Sequence, residues 1–258
     1  MHARRGEFFR ALPHSPRFGY ARGMPRSLPP DLRLPRPLLP LTLGSLALAL
    51  VVFAAWPGLD LTVARWFYLG DGHFSGRTGL GNFARAIGYA VPFILLAPPA
   101  FLWVAEKLGL RTHFHVSGRA VAFLILTMAL GPGLLVNLIL KDHAHRPRPV
   151  QVQDFNGPLE FRPFYRTDGG CNINCSFVSG ESSAAFWTLA PAMLAPPPVR
   201  AAAVAAAVIF GVAVSVLRMA FGGHFLSDVI FAALFTLLVI WGVERAVYGP
   251  LRPTSPSR

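Results

Sequence analysis

Three short polar segments, each beside a long apolar run, hold the residues of this sequence whose types and spacing could do chemistry. They are residues 141–149, 179–181 and 218–228. The first is rich in Lys and Arg, the second joins Ser and Gly to an acid, and the third places a histidine four residues before an aspartate. Cations, an exposed helix start and an oriented imidazole are groups that bind and attack a phosphate. Together the segments predict a site for phosphate chemistry.

The first segment offers three cations, Lys141, Arg146 and Arg148, the last two within the run Arg-Pro-Arg-Pro. Guanidinium groups pair bidentately with phosphate oxygens, Lys adds a point charge, and the prolines stiffen the backbone that carries them. Lys and Arg at the end of an apolar span also serve as anchors at the lipid headgroups. Taken alone, this segment is consistent with phosphate binding and with anchoring.

The second segment, Ser179-Gly180-Glu181, lies where a polar loop becomes an apolar helix. Ser is among the best N-caps and an acid in the first turn suits the helix dipole, so an ordinary cap accounts for the segment by itself. A helix start with glycine also exposes backbone N–H groups to phosphate oxygens. Ser179 and Gly180 are therefore candidate phosphate ligands.

The third segment is the most informative, because Arg218 ends one apolar run and His224 and Asp228 begin the next. Residues four apart share a helix face, so Asp228 can accept the proton of one imidazole nitrogen and leave the other free to attack. A structural His–Asp pair that caps a helix would show the same spacing. Ionisable groups at membrane depth are costly and are usually functional, however. We take His224 as the candidate nucleophile and Asp228 as the residue that orients it.

The elements that must position these residues are membrane-spanning helices. Hydrophobic residues make up 53% of the 258 residues and charged residues only 14%, against roughly 25% charged in an ordinary soluble domain. Six apolar stretches are long enough to cross about 30 Å of hydrocarbon. They cover residues 37–57, 86–105, 120–140, 179–195, 201–217 and 225–243. The predicted fold is all-α, an integral membrane bundle of six transmembrane helices within residues 37–245.

The distribution of charge predicts the orientation of this bundle. The net charge is +12, and most Lys and Arg residues flank the spans on the side that holds both termini. That side is cytoplasmic by the positive-inside rule, so the three polar segments face outward. Residues 1–36 are expected to form a disordered, basic, Pro-rich tail, and residues 246–258 a short cytoplasmic tail. No zinc-finger or RNA-binding signature accompanies the basic charge, so we expect no nucleic-acid partner.

The two cysteines, Cys171 and Cys175, lie in one polar loop on the outward side. A local disulfide between them is geometrically allowed in an oxidising compartment, and two unpaired thiols are the alternative. Two thiols alone are too few for a structural zinc site.

In order and spacing, the pattern Lys-x6-Arg-Pro, Ser-Gly and Arg-x5-His-x3-Asp resembles the type 2 phosphatidic acid phosphatase superfamily of membrane lipid phosphatases. The resemblance implies that Lys141, Arg148 and Arg218 bind phosphate. It implies that His224 attacks to give a phosphohistidine and that Asp228 orients His224. It also implies that no metal or other cofactor is needed, in agreement with the lack of a carboxylate cluster in the sequence.

The middle motif departs from the family pattern, which has Pro-Ser-Gly-His where this chain has Val178-Ser179-Gly180-Glu181. The family histidine is thought to protonate the leaving group. Glu181 could replace it as a catalytic acid if its pKa were raised, although nearby Arg groups and the helix start act in the opposite direction. Alternatively the leaving group needs little protonation, as with a diphosphate or an anomeric sugar phosphate.

The segments 57–68, 148–155 and 174–180 look like the bacterial branch that contains lipid A phosphatases and lipid A phosphotransferases. The first hypothesis is therefore a metal-independent phosphatase of the bacterial inner membrane that removes phosphate from a lipid such as lipid A on the periplasmic leaflet. Alternatives are an undecaprenyl diphosphate phosphatase or a lipid phosphotransferase, and a non-catalytic lipid-binding or transport protein. His224 with Asp228 favours an enzyme, because a binder needs cations but no oriented neutral imidazole.

Overall fold

Five helices are long and apolar enough to cross a membrane in the part of the chain that the structure describes, residues 37–112 and 114–249. In chain order this computed structural model has α1 (Leu38–Ala55), α2 (Gly58–Arg65), α3 (Gly79–Lys107), α4 (Gly118–Met128), α5 (Lys141–His143), α6 (Gly180–Trp187), α7 (Leu189–Met193), α8 (Pro197–Ala220) and α9 (Leu226–Tyr248). A π-helical segment, Ala129–Leu140, continues α4, and two 3-10 turns, Pro149–Gln151 and Gln153–Phe155, lie in the polar loop. The five long helices are α1, α3, α4 with its continuation, α8 and α9.

The chain is thus mostly helical, as an all-α membrane bundle requires. In the most apolar 18-residue stretch of each long helix, between 11% and 44% of the residues are buried inside the protein. Most residues of these stretches therefore face outward, as the residues of lipid-exposed helices do. The expectations for the tail of residues 1–36 and for residues 250–258 lie outside the described residues. The segment from residue 246 to Tyr248, which we assigned to the C-terminal tail, is the last turn of α9.

The second predicted span begins earlier than the charge pattern indicated. The prediction begins it at residue 86, just after Arg85, but α3 starts at Gly79 with Thr78 as its N-cap, and the Thr78 hydroxyl accepts from the Gly81 N–H at 3.0 Å. A threonine oxygen at this position satisfies a backbone donor that the first turn leaves free. Arg85 therefore projects from the second turn of a helix instead of marking a helix end.

The fourth predicted span, residues 179–195, is divided into two short helices, α6 and α7, of eight and five residues. Neither is long enough to cross a membrane alone, so the predicted count of six is not confirmed by helix length. The break has a local cause, because Pro191 has no N–H to donate to the carbonyl of Trp187, four residues earlier. Trp187 is fully buried and donates to the hydroxyl of Thr127 at 2.8 Å, which joins α6 to α4.

A small antiparallel hairpin, β1 (Tyr68–Gly70) with β2 (His73–Phe74), interrupts the helical pattern where the sequence predicts a turn-rich loop. Its turn uses Asp71 at φ 47° and Gly72 at φ 76°, the left-handed conformations that such two-residue turns need. The rings of Tyr68 and Phe74 pack against Phe155 of the polar loop, with centroids 5.1 and 5.4 Å from it. The hairpin thereby connects the α2–α3 segment to the loop that carries the first polar segment.

The long polar loop between α5 and α6 is tied to the helix ends by several contacts. The Val150 N–H donates to the carbonyl of Gly222 at 3.1 Å, and the Ser176 N–H donates to the carbonyl of Arg146 at 2.8 Å. Cys171 and Cys175 form a disulfide, with a Cα–Cα distance of 5.7 Å. These contacts bring the three polar segments together at one end of the bundle.

Candidate active site

A cavity of about 450 Å³ opens at this end of the bundle, between the start of α3, the end of the π-helical segment and the α8–α9 connection. Six of the eight residues predicted for the phosphate site line it: Lys141, Arg148, Gly180, Glu181, Arg218 and His224. Residues more than 80 positions apart in the chain therefore meet around a space that can hold one phosphate group. The other two predicted residues, Ser179 and Asp228, are fully buried behind the wall.

His224 is held with one ring nitrogen fixed. It is 2% exposed, and its Nδ1 lies 2.7 Å from the backbone carbonyl oxygen of Ser176. A carbonyl oxygen can only accept, so Nδ1 carries the proton and Nε2 is the unprotonated nitrogen. Burial lowers the pKa of His224 to about 4, and the charge of Arg218 acts in the same direction. The ring is therefore neutral at physiological pH, as a nucleophile must be.

Asp228 reaches His224 through a second residue. Its carboxylate is 3.8 Å from Nδ1 of His224, beyond hydrogen-bonding distance, whereas its Oδ2 accepts from the Ser176 hydroxyl at 2.5 Å and from the Phe225 N–H at 2.7 Å. The predicted direct hydrogen bond is replaced by Asp228 holding Ser176, whose carbonyl holds the imidazole. The reason is local, because α9 starts at Leu226 and His224 lies before the helix, where the four-residue rule does not apply.

The cations of the cavity are positioned by the polar loop. Arg148 donates from Nε and Nη2 to the carbonyl of Asn174, at 3.0 and 2.8 Å, and Lys141 donates to the Asn174 side chain at 3.2 Å. Arg218 is 3% exposed, and its Nε has no hydrogen-bond acceptor among residues 37–112 and 114–249. A buried guanidinium nitrogen without an acceptor is costly, and an anion in the cavity would remove that cost.

Glu181 is paired with Arg85, which lies just before the second predicted span. The Nε of Arg85 lies 3.1 and 3.0 Å from the two oxygens of Glu181, and the Nη2 of Arg85 lies 2.6 Å from Oε1. Arg218 is also near, with its Nε 3.5 Å from Oε1. Both carboxylate oxygens are therefore acceptors for a cation. This arrangement suits an ionised carboxylate better than a proton donor.

The two small residues of the middle motif have separate places. Ser179 caps α6, its hydroxyl accepting from the Ser182 N–H at 3.3 Å, and it does not line the cavity. Gly180 lines the cavity, and a Cβ built on it would lie 2.6 Å from Oδ1 of Asn137 and 3.1 Å from Nζ of Lys141. Glycine is thus needed here for close approach, whereas Ser179 supplies the cap alone.

Arg146 does not line the cavity, although it lies in the sequence between Lys141 and Arg148, which do. It is fully buried and donates to two carboxylates, Asp228 at 2.5 Å and Asp60 at 2.7 Å. Its ring partner is Phe225, with the guanidinium 4.5 Å from the ring centroid. Of the two interpretations left open for the first segment, phosphate binding therefore does not hold for Arg146, because its guanidinium is taken up by the two buried carboxylates.

Three further residues of the site carry no signal that a single sequence makes visible. Asn137 lines the cavity from the π-helical segment, where its Nδ2 donates to the carbonyl of Pro132 at 2.7 Å. Asn174 supplies both acceptors for Arg148 and Lys141 from the disulfide loop. Asp60 accepts from Arg146, 86 positions away in the chain, and from the Ser227 N–H, 167 positions away. A π-helical turn near an active site is a common functional feature, but its position depends on packing.

No group of three or more His, Cys, Asp or Glu side chains within the described ranges is arranged to hold a metal ion.

Comparison with known proteins gives consistent matches. Residues 120–250 match the model of the PAP2 superfamily. A lipid A 4'-phosphatase of Francisella tularensis subsp. novicida is 34% identical over 203 residues, which cover 78% of this chain and 91% of that protein. Lipid A 4'-phosphatases of Rhizobium etli and Rhizobium leguminosarum are 34% and 30% identical, over 74% of this chain and 79% and 88% of their own lengths. No solved structure matches the chain.

Proposed function

The chain belongs to the PAP2 superfamily, and we propose that it is a membrane phosphatase that removes a phosphate from lipid A. One observation carries the proposal: Lys141, Arg148 and Arg218 line one cavity with a histidine whose Nε2 is unprotonated. The names of the three similar proteins support lipid A as the substrate and the 4'-phosphate as the group removed.

In the proposed reaction the Nε2 lone pair of His224 forms a bond to phosphorus while the bond from phosphorus to the lipid oxygen breaks. The three cations offset the negative charge on the equatorial oxygens. The Gly180 N–H, at the positive end of the α6 dipole, acts in the same direction. Water then attacks the phosphohistidine and releases phosphate, so one difficult displacement becomes two. A lipid hydroxyl or phosphate in place of water would make the protein a phosphotransferase.

Asp228 is proposed to act as a positioning residue. Attack by Nε2 leaves a positive charge on the ring with the proton still on Nδ1. The Asp228 carboxylate, 3.8 Å from that nitrogen, stabilises this charge, and its hydrogen bond to Ser176 keeps the accepting carbonyl in place.

Glu181 is proposed to hold Arg85 in the cavity, in preference to the leaving-group acid role that the sequence suggested. The Nη1 of Arg85 has no acceptor among the described residues, so it is available to the lipid oxygen on which charge develops. A guanidinium at that point stabilises a leaving oxygen without donating its proton.

Glu181→Gln and Arg85→Gln are expected to lower kcat/KM by similar factors, about 10- to 100-fold, and the double variant by no more than the larger single effect. The reason is that both changes remove the same positioned guanidinium. The measurement is phosphate release from a lipid monophosphate and a lipid diphosphate. If Glu181 were the acid, Glu181→Gln would slow the monophosphate far more than the diphosphate, while Arg85→Gln would not.

The predicted sixth crossing is retained as part of the proposal. Gly180 at the start of α6 and Arg218 at the end of α8 line the same cavity, and α8 is long enough to cross the membrane. The chain from Gly180 to the start of α8 must therefore traverse the bundle, which makes α6 and α7 together a broken crossing. Six crossings place both termini on the cytoplasmic side and the cavity on the periplasmic side of the bacterial inner membrane.

A tag fused after residue 258 should therefore be inaccessible to an impermeant label in intact spheroplasts and should react once they are lysed. A cysteine introduced at exposed Ile173 of the polar loop should react in both preparations. Labelling of the C-terminal tag before lysis would contradict the orientation.

The deciding experiment is phosphate release by detergent-purified protein with a chelator present. The panel is lipid A, undecaprenyl diphosphate and phosphatidate, and we expect release of phosphate from lipid A together with a lipid product that has lost one phosphate. Release from undecaprenyl diphosphate alone would replace the proposal by the diphosphatase alternative. Transfer of labelled phosphate to a second lipid would replace it by the phosphotransferase alternative. A silent panel would favour a binding protein, and activity that requires added metal would contradict metal independence.

A further inference from the structure

A second cavity of about 350 Å³ adjoins the first, and nothing in the proposed reaction uses it. Four arginines line it, Arg77, Arg85, Arg148 and Arg218, together with the amide of Asn82. No acidic residue among the described residues contributes to its wall. A cavity lined by guanidinium groups and an amide, with no acid, has the donor set that binds oxyanions.

An anion in this second cavity cannot be the one that His224 attacks. His224, Lys141 and Gly180 line the first cavity only, whereas Arg77 and Asn82 line the second only. Arg85, Arg148 and Arg218 line both and form a shared wall. The two spaces are therefore neighbours that share the same three guanidinium groups.

The charges of the two cavities are not balanced by one phosphate. Five cationic side chains line them together, against the single carboxylate of Glu181. A phosphate dianion in the first cavity would still leave an excess of positive charge. Burial lowers the pKa of Arg148, and the neighbouring charges of Arg85 and Arg77 add to the lowering, as expected where like charges are crowded. The buried Nε of Arg218 makes no hydrogen bond in the described part of the chain, and its one nearby carboxylate, Glu181 at 3.5 Å, is also paired with Arg85.

The backbone fixes where Arg77 meets the second cavity, although Arg77 and Asn82 are themselves exposed residues. The Gly76 N–H donates to the carbonyl of Ala220 at 2.8 Å, and a Cβ at Gly76 would lie 2.7 Å from the Ala220 carbonyl carbon. This close approach places Arg77 beside the end of α8, where its Nε donates to the carbonyl of Phe221 at 3.1 Å. The Nη atoms of Arg77 have no acceptor among the described residues and remain available to a ligand.

We propose that Arg77 and Asn82, with the shared guanidinium wall, form a second oxyanion subsite that holds another acidic group of the same lipid headgroup while His224 attacks the first. This inference rests on the proposed function. The ligand is a carboxylate or phosphate that lies near the phosphate being released. The subsite would make the enzyme prefer headgroups that carry two neighbouring acidic groups over those that carry one.

The test compares two phosphorylated glycolipids that differ only in a second acidic group beside the cleaved phosphate. KM is measured for the native protein, for Arg77→Gln and Asn82→Leu, and for the control Arg65→Gln, an exposed arginine paired with Asp154 that lines neither cavity. Arg77→Gln is expected to reduce the preference for the two-acid lipid by about tenfold, since it removes a charge-assisted hydrogen bond. Asn82→Leu should reduce it by less, and Arg65→Gln should leave it unchanged.

A second arm identifies the source of the oxyanion. If Arg77→Gln leaves the lipid preference unchanged but weakens inhibition by inorganic phosphate about tenfold, the subsite stands and its ligand is the released phosphate. If Arg77→Gln changes neither the lipid preference nor the inhibition by phosphate, or changes KM for both lipids by the same factor, the subsite is overturned. Equilibrium binding of both lipids to His224→Ala protein reads the subsite without turnover. If adding Arg77→Gln to His224→Ala abolishes the binding preference for the two-acid lipid, the subsite is supported. If the native protein in addition releases no phosphate from either lipid, the proposed function is refuted while the subsite stands.

Discussion

His224→Ala is expected to abolish phosphate release, with a loss on the order of 10⁴-fold or more, because it removes the nitrogen that we propose forms the bond to phosphorus. The cations and the start of α6 remain, so binding of the lipid should change little. Mixing the native protein with lipid labelled in its phosphate, followed by rapid quenching in base, should trap label on the chain as acid-labile phosphohistidine. The same treatment of His224→Ala should trap none.

The matched control is His143→Ala. His143 lies in the first polar segment, is exposed, and does not line the cavity. Its removal should leave phosphate release within about twofold, as surface substitutions away from a site usually do. Equal losses for His143 and His224, or turnover that survives His224→Ala, would remove the nucleophile assignment.

The surroundings of His224 also predict an unusual dependence on pH. Its pKa of about 4 lies well below the ordinary value of about 6.5, because the buried imidazole is poorly solvated when charged. Protonation would remove the proposed nucleophile, so the loss on the acid side should have its midpoint near pH 4. Diethyl pyrocarbonate reacts only with the neutral ring, and its rate of inactivation of the free protein, followed from pH 4 to 7, should be flat down to about pH 5. A midpoint near 6.5 would show that His224 is not buried as described.

The sequence predicted those residues of the site that belong to motifs with a fixed spacing between their members. Lys141, Arg148 and Arg218 are each adjacent to an apolar run, and the family resemblance identified their common partner as a phosphate. Their meeting in one cavity confirms that the three polar segments converge. The indirect link from Asp228 to His224 through Ser176 could not be predicted, since it depends on where α9 begins, and helix starts are decided by capping and packing.

Arg85 shows why the rest was out of reach. A single arginine at the start of an apolar run is typical of an anchor, and nothing nearby in the sequence marks it as part of a site. The signal lay in another segment, because Glu181 stands where the family has histidine, and a carboxylate at that place needs a cation. Such pairs, 96 positions apart, become visible only when the helices that carry them are packed. The break between α6 and α7 near Pro191 could not be predicted either, since the prolines inside α3 leave that helix continuous.

Arg146→Met is expected to destabilise the protein by about 3–5 kcal/mol, because it leaves two buried carboxylates without their cation. Asp60 is 1% exposed and Asp228 is fully buried, and Arg146 is the guanidinium that lies between them. The methionine keeps most of the side-chain volume, so the loss reports the charge and not a cavity. Thermal unfolding in detergent, followed by circular dichroism, is the measurement, with Arg65→Met as the control. Arg65 and Asp154 form an exposed pair, and breaking it should cost less than about 1 kcal/mol.

The double variant Arg146→Met, Asp60→Asn separates the structural role of this network from its role at His224. Neutralising Asp60 removes one of the two unpaired charges, so the double variant should be more stable than Arg146→Met alone. Activity should not recover with stability, because Asp228 still lacks the guanidinium that fixes its Oδ1 and thereby the Ser176 carbonyl that orients His224. If phosphate release returned together with the unfolding temperature, the network would matter only for folding. A double variant less stable than the single one would show that Asp60 stabilises the fold through Ser227 and not through Arg146.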